Sequence, residues 1–478
     1  MTFRQKATSG FLWNALERFS GHLLSLVIGV ILARILSPED FGLLGMLVIF
    51  TSVASAFVES GMGSGLIQKQ DKTEEDYSTV FIFNLGTAFF MYAILFVIAP
   101  YISDFYNEPR LTKLLRFLSL NLLIGSFVAI QRTKLTIDLN FKVLAKVNVS
   151  SSFLSGTIAI FLAWYGIGYW ALAFQILLTG IFSFLFLLHL CNWKYSIKFS
   201  QKSFKELFGF GFKLLFASIY AQALRNVYDV YIGKYYRSSE LAFYSRSIGF
   251  TELISGTVNS VIQQVTYPLL SKMRYEPDRM IDIFRRLIRM TAFINFPAMV
   301  LLSLLAEPIV LLLLTDKWLA VIPLLQWMPF ARIFYPASSL NLNLLNANGR
   351  SDLFLKVDLS KLPLTIITMI ITLPIGMKAM VIGHVITSFV AFFFNAFLPG
   401  RMFKYGAFKQ IADMSPVILN AFLMGAAVFF VLLFVDNLFL KIIIGPLLGG
   451  MIYMLLAYYQ KSKEFFELMG MFLNKRNE

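Results

Sequence analysis

Charge is scarce in this sequence: Asp, Glu, Lys and Arg make up 14% of the 478 residues, against about 25% in an ordinary soluble chain. That argues against a water-soluble enzyme. Cysteine is almost absent. The single Cys191 excludes a disulfide framework within the chain and any multi-cysteine metal site. Histidine is rare too, and His22, His189 and His384 lie on separate apolar runs without ligand-type spacing. There is no phosphate-cradling glycine loop and no serine nucleophile elbow. No catalytic constellation remains, so neither an enzymatic activity nor a cofactor or metal is expected. Acidic residues number 27 against 42 Lys and Arg, a formal charge of +15. In a soluble chain that excess would suggest nucleic acid. Here the cytoplasmic loops of a membrane protein explain it, and no nucleic-acid partner is expected.

What the sequence has in abundance is apolar residues, 58% of the chain. Runs long enough to span a bilayer lie near 10–36, 41–58, 78–100, 112–131, 147–165, 168–191, 207–232, 240–267, 288–306, 321–346, 356–375, 379–398, 416–435 and 439–459. The expected fold is an all-α polytopic membrane protein of about 14 transmembrane helices. The first run is too long for a signal-peptide core and contains Glu17, Arg18 and His22, so it reads as a retained span. With the N-terminus inside, the outer loops hold only Arg34, Arg110, Lys113, Lys234, Arg237, Lys317, Lys378 and Lys441, while cytoplasmic segments hold 27 Lys and Arg. The positive-inside rule then places both termini in the cytoplasm. The tail from Lys461 is amphipathic at Phe465-Phe466 and Leu468-Met469 and is expected on the inner membrane surface rather than on a partner.

A shift of 200 residues sets Leu32-Ala33-Arg34 and Phe41-Gly42-Leu43-Leu44 on Ile232-Gly233-Lys234 and Leu241-Ala242-Phe243-Tyr244. This suggests a parallel repeat of six spans, the architecture with which secondary transporters frame a site. The expected organisation is an N-lobe over 1–200, a C-lobe over 201–400, and two further spans with the tail over 401–478.

Seven basic residues fall inside spans: Arg18, Arg116, Lys213, Arg225, Arg246, Arg332 and Lys361. An intramembrane charge is expensive and faces protein or a wet cavity. Helical spacing gives several of them polar company. Asn14, Arg18, His22 and Ser25 share one face; Gln222, Arg225, Asn226 and Asp229 share another. Ser52, Ser55 and Glu59 align, as do Glu252, Ser255, Asn259 and Gln263, and also Arg332, Tyr335, Ser339, Asn343 and Asn346. Two readings stand for these stripes: helix–helix hydrogen bonding, or the lining of a cationic cavity centred on Arg18, Arg225 and Arg332. Arg225 and Asp229, four apart, have the spacing to neutralise each other. Asp358 and Lys361 are expected to form a pair. Lys213 and Arg116 have the reach to snorkel, and Arg246 points away from its own stripe.

Several segments resemble the Wzx-type polysaccharide flippases of the multidrug/oligosaccharidyl-lipid/polysaccharide exporter superfamily. They are Leu32 to Leu43, Gly65-Leu66-Ile67-Gln68, Asn140-Phe141-Lys142, Asn295-Phe296-Pro297-Ala298, Asp316-Lys317-Trp318 with Ile322 to Gln326, and Ala347 to Asp352. The resemblance implies two six-helix lobes around a central cavity, two extra C-terminal spans, and location in the bacterial inner membrane. It implies export of undecaprenyl-diphosphate-linked oligosaccharide repeat units for surface polysaccharide, with membrane lipids, a polymerase and export machinery as partners. The candidate lining is Asn14, Arg18, His22, Gln222, Arg225, Asn226, Asn259, Gln263, Arg332 and Asn343. Coupling to a proton or a sodium ion would act on Glu17, Asp229 or Glu252. A lipid II-type flippase and a multidrug/cation antiporter of the same superfamily are the alternatives. Arginines repel cations and attract diphosphate, which disfavours the antiporter.

Overall fold

A computed structural model of the chain describes residues 20–21, 23–59, 61–191, 193, 196–273 and 275–474. It divides into two compact units, Met1–Ala242 and Phe243–Glu478, and among the described residues every regular element is helical.

The first unit contains α1 (Leu23–Ile35), α2 (Pro38–Glu59), α3 (Met62–Gln68), α4 (Glu74–Tyr106), α5 (Arg110–Leu118), α6 (Leu120–Ile137), α7 (Phe141–Trp164), α8 (Trp170–Leu190), α9 (Gln201–Arg225) and α10 (Val227–Tyr235). Then α11 (Ser238–Lys272) starts at the unit boundary. The second unit adds α12 (Pro277–Leu304), α13 (Ala306–Leu313), α14 (Val321–Arg332), α15 (Tyr335–Ala347), α16 (Ser351–Ser360), α17 (Leu362–Thr372), α18 (Met377–Phe403), α19 (Ala407–Leu432), α20 (Leu438–Tyr459) and α21 (Lys463–Asn474).

Nine of the described helical segments are long and apolar enough to cross a membrane, and the bent pair Gln201–Gly209 and Leu214–Arg225, at 48°, makes a tenth. The other four expected spans correspond to helices that are short, polar or broken: α1, α11, α14 with α15, and α16 with α17. The chain is a multi-pass membrane protein of about fourteen spans.

The sequence writes many helix ends directly. Thr73 caps α4 with a reciprocal box to Asp76, Asn140 caps α7, and Asn437 caps α20; each side-chain oxygen takes up an N–H that the first turn leaves open. At Ser37 the backbone N–H and the hydroxyl both donate to Asp40 Oδ2, at 2.9 and 2.8 Å. Gly349 closes α15 at φ +75°, where an L side chain would be strained, with Arg350 N–H donating to Leu345 O. Most of the segments that carried the family resemblance are therefore caps and turns.

The 200-residue shift also has a local counterpart. The helix of residues 31–35 breaks at 36–37 and resumes at 38; that of residues 231–235 breaks at 236–237 and resumes at 238. Gly42 shows why one of these turns needs its glycine, since a Cβ there would lie 1.8 Å from the Ser238 carbonyl oxygen.

Each unit has its own core. In the first, Leu66, Phe81, Ile130, Val147 and Leu187 pack together. In the second, Phe284, Phe296, Leu340, Phe392, Met414 and Met424 form a larger cluster spread over α12, α15, α18 and α19. Ion pairs fasten one end of this second unit: Arg285 binds Asp413 with two hydrogen bonds at 2.9 and 3.1 Å, Arg286 reaches Glu467 at 2.8 Å and Arg289 reaches Glu464 at 2.9 Å. The amphipathic tail helix α21 is thus held by its own unit, with Phe465 and Leu468 against the core and Phe466 and Met469 exposed.

Candidate functional site

The polar stripes predicted on α11 and on the α14–α15 segment come together. Arg332 Nη1 lies 3.5 Å from Glu252 Oε2, and its guanidinium carbon sits 5.0 Å from the centre of the Tyr335 ring. Two to three turns further along, Asn343 Nδ2 donates to Gln263 Oε1, and Gln263 Nε2 donates to Asn259 Oδ1 at 3.5 Å. Five predicted residues therefore form a polar strip of two groups, Arg332 with Glu252 and Asn343 with Gln263 and Asn259, on two neighbouring helical segments. Ser255 does not join it, because it is buried and its hydroxyl donates to Thr251 O within α11.

A backbone break presents Arg332. Pro336 has no N–H to donate to the Arg332 carbonyl, so α14 ends there and α15 begins at Tyr335. Asn295 from α12 supplies the missing donors, its Nδ2 reaching Ile333 O at 2.8 Å and Arg332 O at 3.4 Å. The asparagine of the Asn295-Phe296-Pro297-Ala298 segment is thus a positioning residue for the break that carries the arginine. Nearby, Tyr244 Oη and His384 Nδ1 are 3.3 Å apart. Periodicity along one helix could not have placed His384 in this neighbourhood.

The stripe over Gln222, Arg225, Asn226 and Asp229 behaves differently. The helix stops at Arg225 and restarts at Val227, which interrupts the shared face. Asn226 is buried and its Nδ2 donates back to Gln222 O at 2.7 Å, a bond to its own helix and not one between spans. Arg225 is exposed. Among the described residues it makes no ion pair with Asp229, whose carboxyl lies beyond the break. Asn14, Glu17, Arg18 and His22 lie outside the described residues, as does the side chain of Lys213.

The remaining intramembrane cations find partners that sequence spacing did and did not foresee. Lys361 pairs with Asp358 as expected and also donates to Asn395 Oδ1 at 3.1 Å. Arg116 donates to Phe96 O at 3.1 Å and stacks 4.1 Å from that ring. Arg246 lies 5.4 Å over Trp318, a fully buried ring from the Asp316-Lys317-Trp318 segment. No group of three or more His, Cys, Asp or Glu among the described residues could hold a metal ion.

A second feature is apolar. A recess of about 510 Å³ on α16 and α18 is walled by Leu353, Val357, Phe393, Phe394 and Phe397, with Lys356 at its edge.

The chain is similar to several known proteins. TuaB, a teichuronic acid biosynthesis protein of Bacillus subtilis, is 26% identical over 349 residues, 72% of each chain. The lipopolysaccharide biosynthesis protein WzxC of Escherichia coli is 23% identical over 367 residues, 76% of this chain and 74% of its own. Among solved structures, the lipid II flippase MurJ in an inward closed conformation is similar with a TM-score of 0.77 at 17% identity, over 94% of this chain and 99% of that one. A family model described as polysaccharide biosynthesis protein matches residues 31–323, more than half of the chain. This multi-pass helical chain, with its flippase-like fold, belongs to that polysaccharide biosynthesis family.

Proposed function

We infer that the protein moves an undecaprenyl-diphosphate-linked oligosaccharide from the inner to the outer leaflet of the bacterial inner membrane, with both termini in the cytoplasm, to supply surface polysaccharide synthesis. The observation that carries this reading is the strip of Arg332, Glu252, Asn259, Gln263 and Asn343 on two neighbouring helical segments. A diphosphate and its sugars cannot enter hydrocarbon without replacing their water. An arginine fork supplies two parallel hydrogen bonds to phosphate oxygens and stays charged, while amides suit sugar hydroxyls. The prenyl tail has no such need and stays in lipid; the recess beside Lys356 is a surface on which it can rest.

Glu252 gives the cycle a release step. It occupies Arg332 when no substrate does, so an arriving diphosphate competes with a carboxylate rather than with water. Binding is then weak enough to reverse on the far side. Of the two acidic candidates for coupling among the described residues, Glu252 touches the cation proposed to hold phosphate, and protonation of its carboxylate would strengthen the grip of Arg332 on phosphate. Alternating exposure of the strip to the two sides completes the transport.

The test is reconstitution in proteoliposomes with lipid-linked repeat unit, reading its exposure to an externally added glycosidase. Wild-type protein should expose the internal pool. Arg332→Ala should slow exposure by about tenfold or more, and Arg332→Lys should restore part of the rate because it keeps charge without the fork. Exposure at the protein-free rate would refute the reading. A rate for lipid II exceeding that for the repeat unit would transfer it to the other glycolipid.

A further inference from the structure

Away from the polar strip, at the end of the second unit remote from α21, a cavity of about 360 Å³ opens between the ends of α12, α13, α19 and α20 and the middle of α14. That size is within the range of small-ligand sites. Ser303, on its rim, is seventeen residues along α12 from Arg286, about 25 Å of helix, or nearly one hydrocarbon thickness. The cavity therefore sits at the membrane–water boundary opposite the one where α21 is fastened.

Its lining combines two opposite charges with aromatic walls. Glu307 comes from α13 and Lys441 from α20, and both face the same space. Among the described residues neither is engaged in an ion pair. Gln326 from α14 adds a side-chain amide, while its backbone carbonyl accepts from the Ser303 hydroxyl at 2.6 Å. Around these lie Trp327, Phe330 and Phe429, with Trp327 39% and Phe429 54% exposed. Tryptophan at this depth marks the headgroup region.

An acid and a base that line one cavity without closing on each other are complementary to a ligand carrying both charges. We propose that this cavity is a structural site for a zwitterionic phospholipid whose ammonium retains its hydrogens, as in an ethanolamine headgroup. The ammonium donates to Glu307, the phosphate accepts from Lys441 and Gln326, and the acyl chains descend along Phe429 and Leu433. The occupant would bridge α13 and α14 to α20, and so tie the last span to the body of its unit. A choline headgroup lacks the N–H donors for Glu307, a glycerol headgroup lacks the cation, and a neutral sugar uses neither charge.

The test is lipid retention by purified full-length protein in nanodiscs of defined composition, read by native mass spectrometry. Phosphatidylethanolamine should be retained roughly tenfold over phosphatidylglycerol and over phosphatidylcholine, the discrimination expected of one charged hydrogen bond. Glu307→Gln should erase the preference over phosphatidylglycerol, Lys441→Gln should lower retention of all three lipids, and Lys441→Arg should keep it. Equal retention of the three lipids by the wild type, or an unchanged preference in Glu307→Gln, would overturn the proposal. So would displacement of the bound lipid by a soluble neutral oligosaccharide. None of these residues belongs to the transport strip, so failure here leaves the transport reading standing, and the converse holds as well.

Discussion

Glu252 and Arg332 should behave as competitors and not simply as a stabilising pair, and the two substitutions should move substrate binding in opposite directions. At 3.5 Å two unit charges attract by about 5 kcal/mol at an effective dielectric of about 20. Solvent reduces that figure, because the Glu252 side chain is 46% exposed against 21% for Arg332. The coupling should therefore fall at about 1–2 kcal/mol, between an exposed pair and a buried one. Arg332→Ala should destabilise more than Glu252→Gln by a further ~0.5–1 kcal/mol, since it also gives up the Tyr335 ring. A double-mutant cycle on thermal unfolding in detergent measures the coupling. On the same samples, capture of an isoprenyl diphosphate should fall in Arg332→Ala and rise by about tenfold in Glu252→Gln, the equivalent of ~1.4 kcal/mol. Additivity within about 0.3 kcal/mol, or a loss of capture in both variants, would refute the competition.

Two further outcomes follow from local geometry. Gly42→Ala would force its methyl to 1.8 Å from the Ser238 carbonyl oxygen, so the neighbouring backbones must separate. The expected cost is about 1–3 kcal/mol, seen as a lowered unfolding temperature, and a wild-type temperature would show that the contact yields freely. Arg110 holds the Glu108 carboxyl below its ordinary value through hydrogen bonds at 2.7 and 2.9 Å. A depressed folded-state value stabilises the fold above the ordinary carboxylate range, and that contribution is lost as pH falls through the folded-state value. Between pH 7 and pH 3 the wild type should thus lose about 0.2–1 kcal/mol more than Glu108→Gln, the small size reflecting a 43% exposed arginine; parallel pH profiles would exclude the contribution.

Spans were easy to read because a membrane imposes one long apolar run per crossing, and caps such as Thr73 and Asn140 are local signals. The pairing of Asp358 with Lys361 was equally legible at three residues' spacing. Half of the candidate site could be read as well: Glu252, Asn259 and Gln263 share a helix face, as do Arg332 and Asn343, and the structure joins the two faces. What was hidden depends on where helices break and on what lies far away in sequence. Asn226 interrupts α9 without a proline or glycine to announce it, which separates Arg225 from Asp229. Trp318 beneath Arg246 and Asn395 beside Lys361 are tertiary neighbours that no periodicity predicts. Arg285, Arg286 and Arg289 are among the 27 Lys and Arg assigned to cytoplasmic segments. They are also the residues that fasten α19 and α21 to α12.

The polar strip also constrains how the protein is made. A carboxylate or guanidinium at mid-helix costs about 2.5–3.5 kcal/mol when a segment partitions alone from the translocon into lipid. Helix α11 carries Arg246 and Glu252 together with the amides of Asn259 and Gln263, and it is absent from the segments apolar enough to cross unaided. Its amide partner Asn343 lies 80 residues further along the chain. The ribosome must finish α12 to α15 before Gln263 of α11 meets Asn343. Until then α11 has reason to wait at the translocon or beside an insertase, and a chain truncated within that interval is a ready target for membrane quality control.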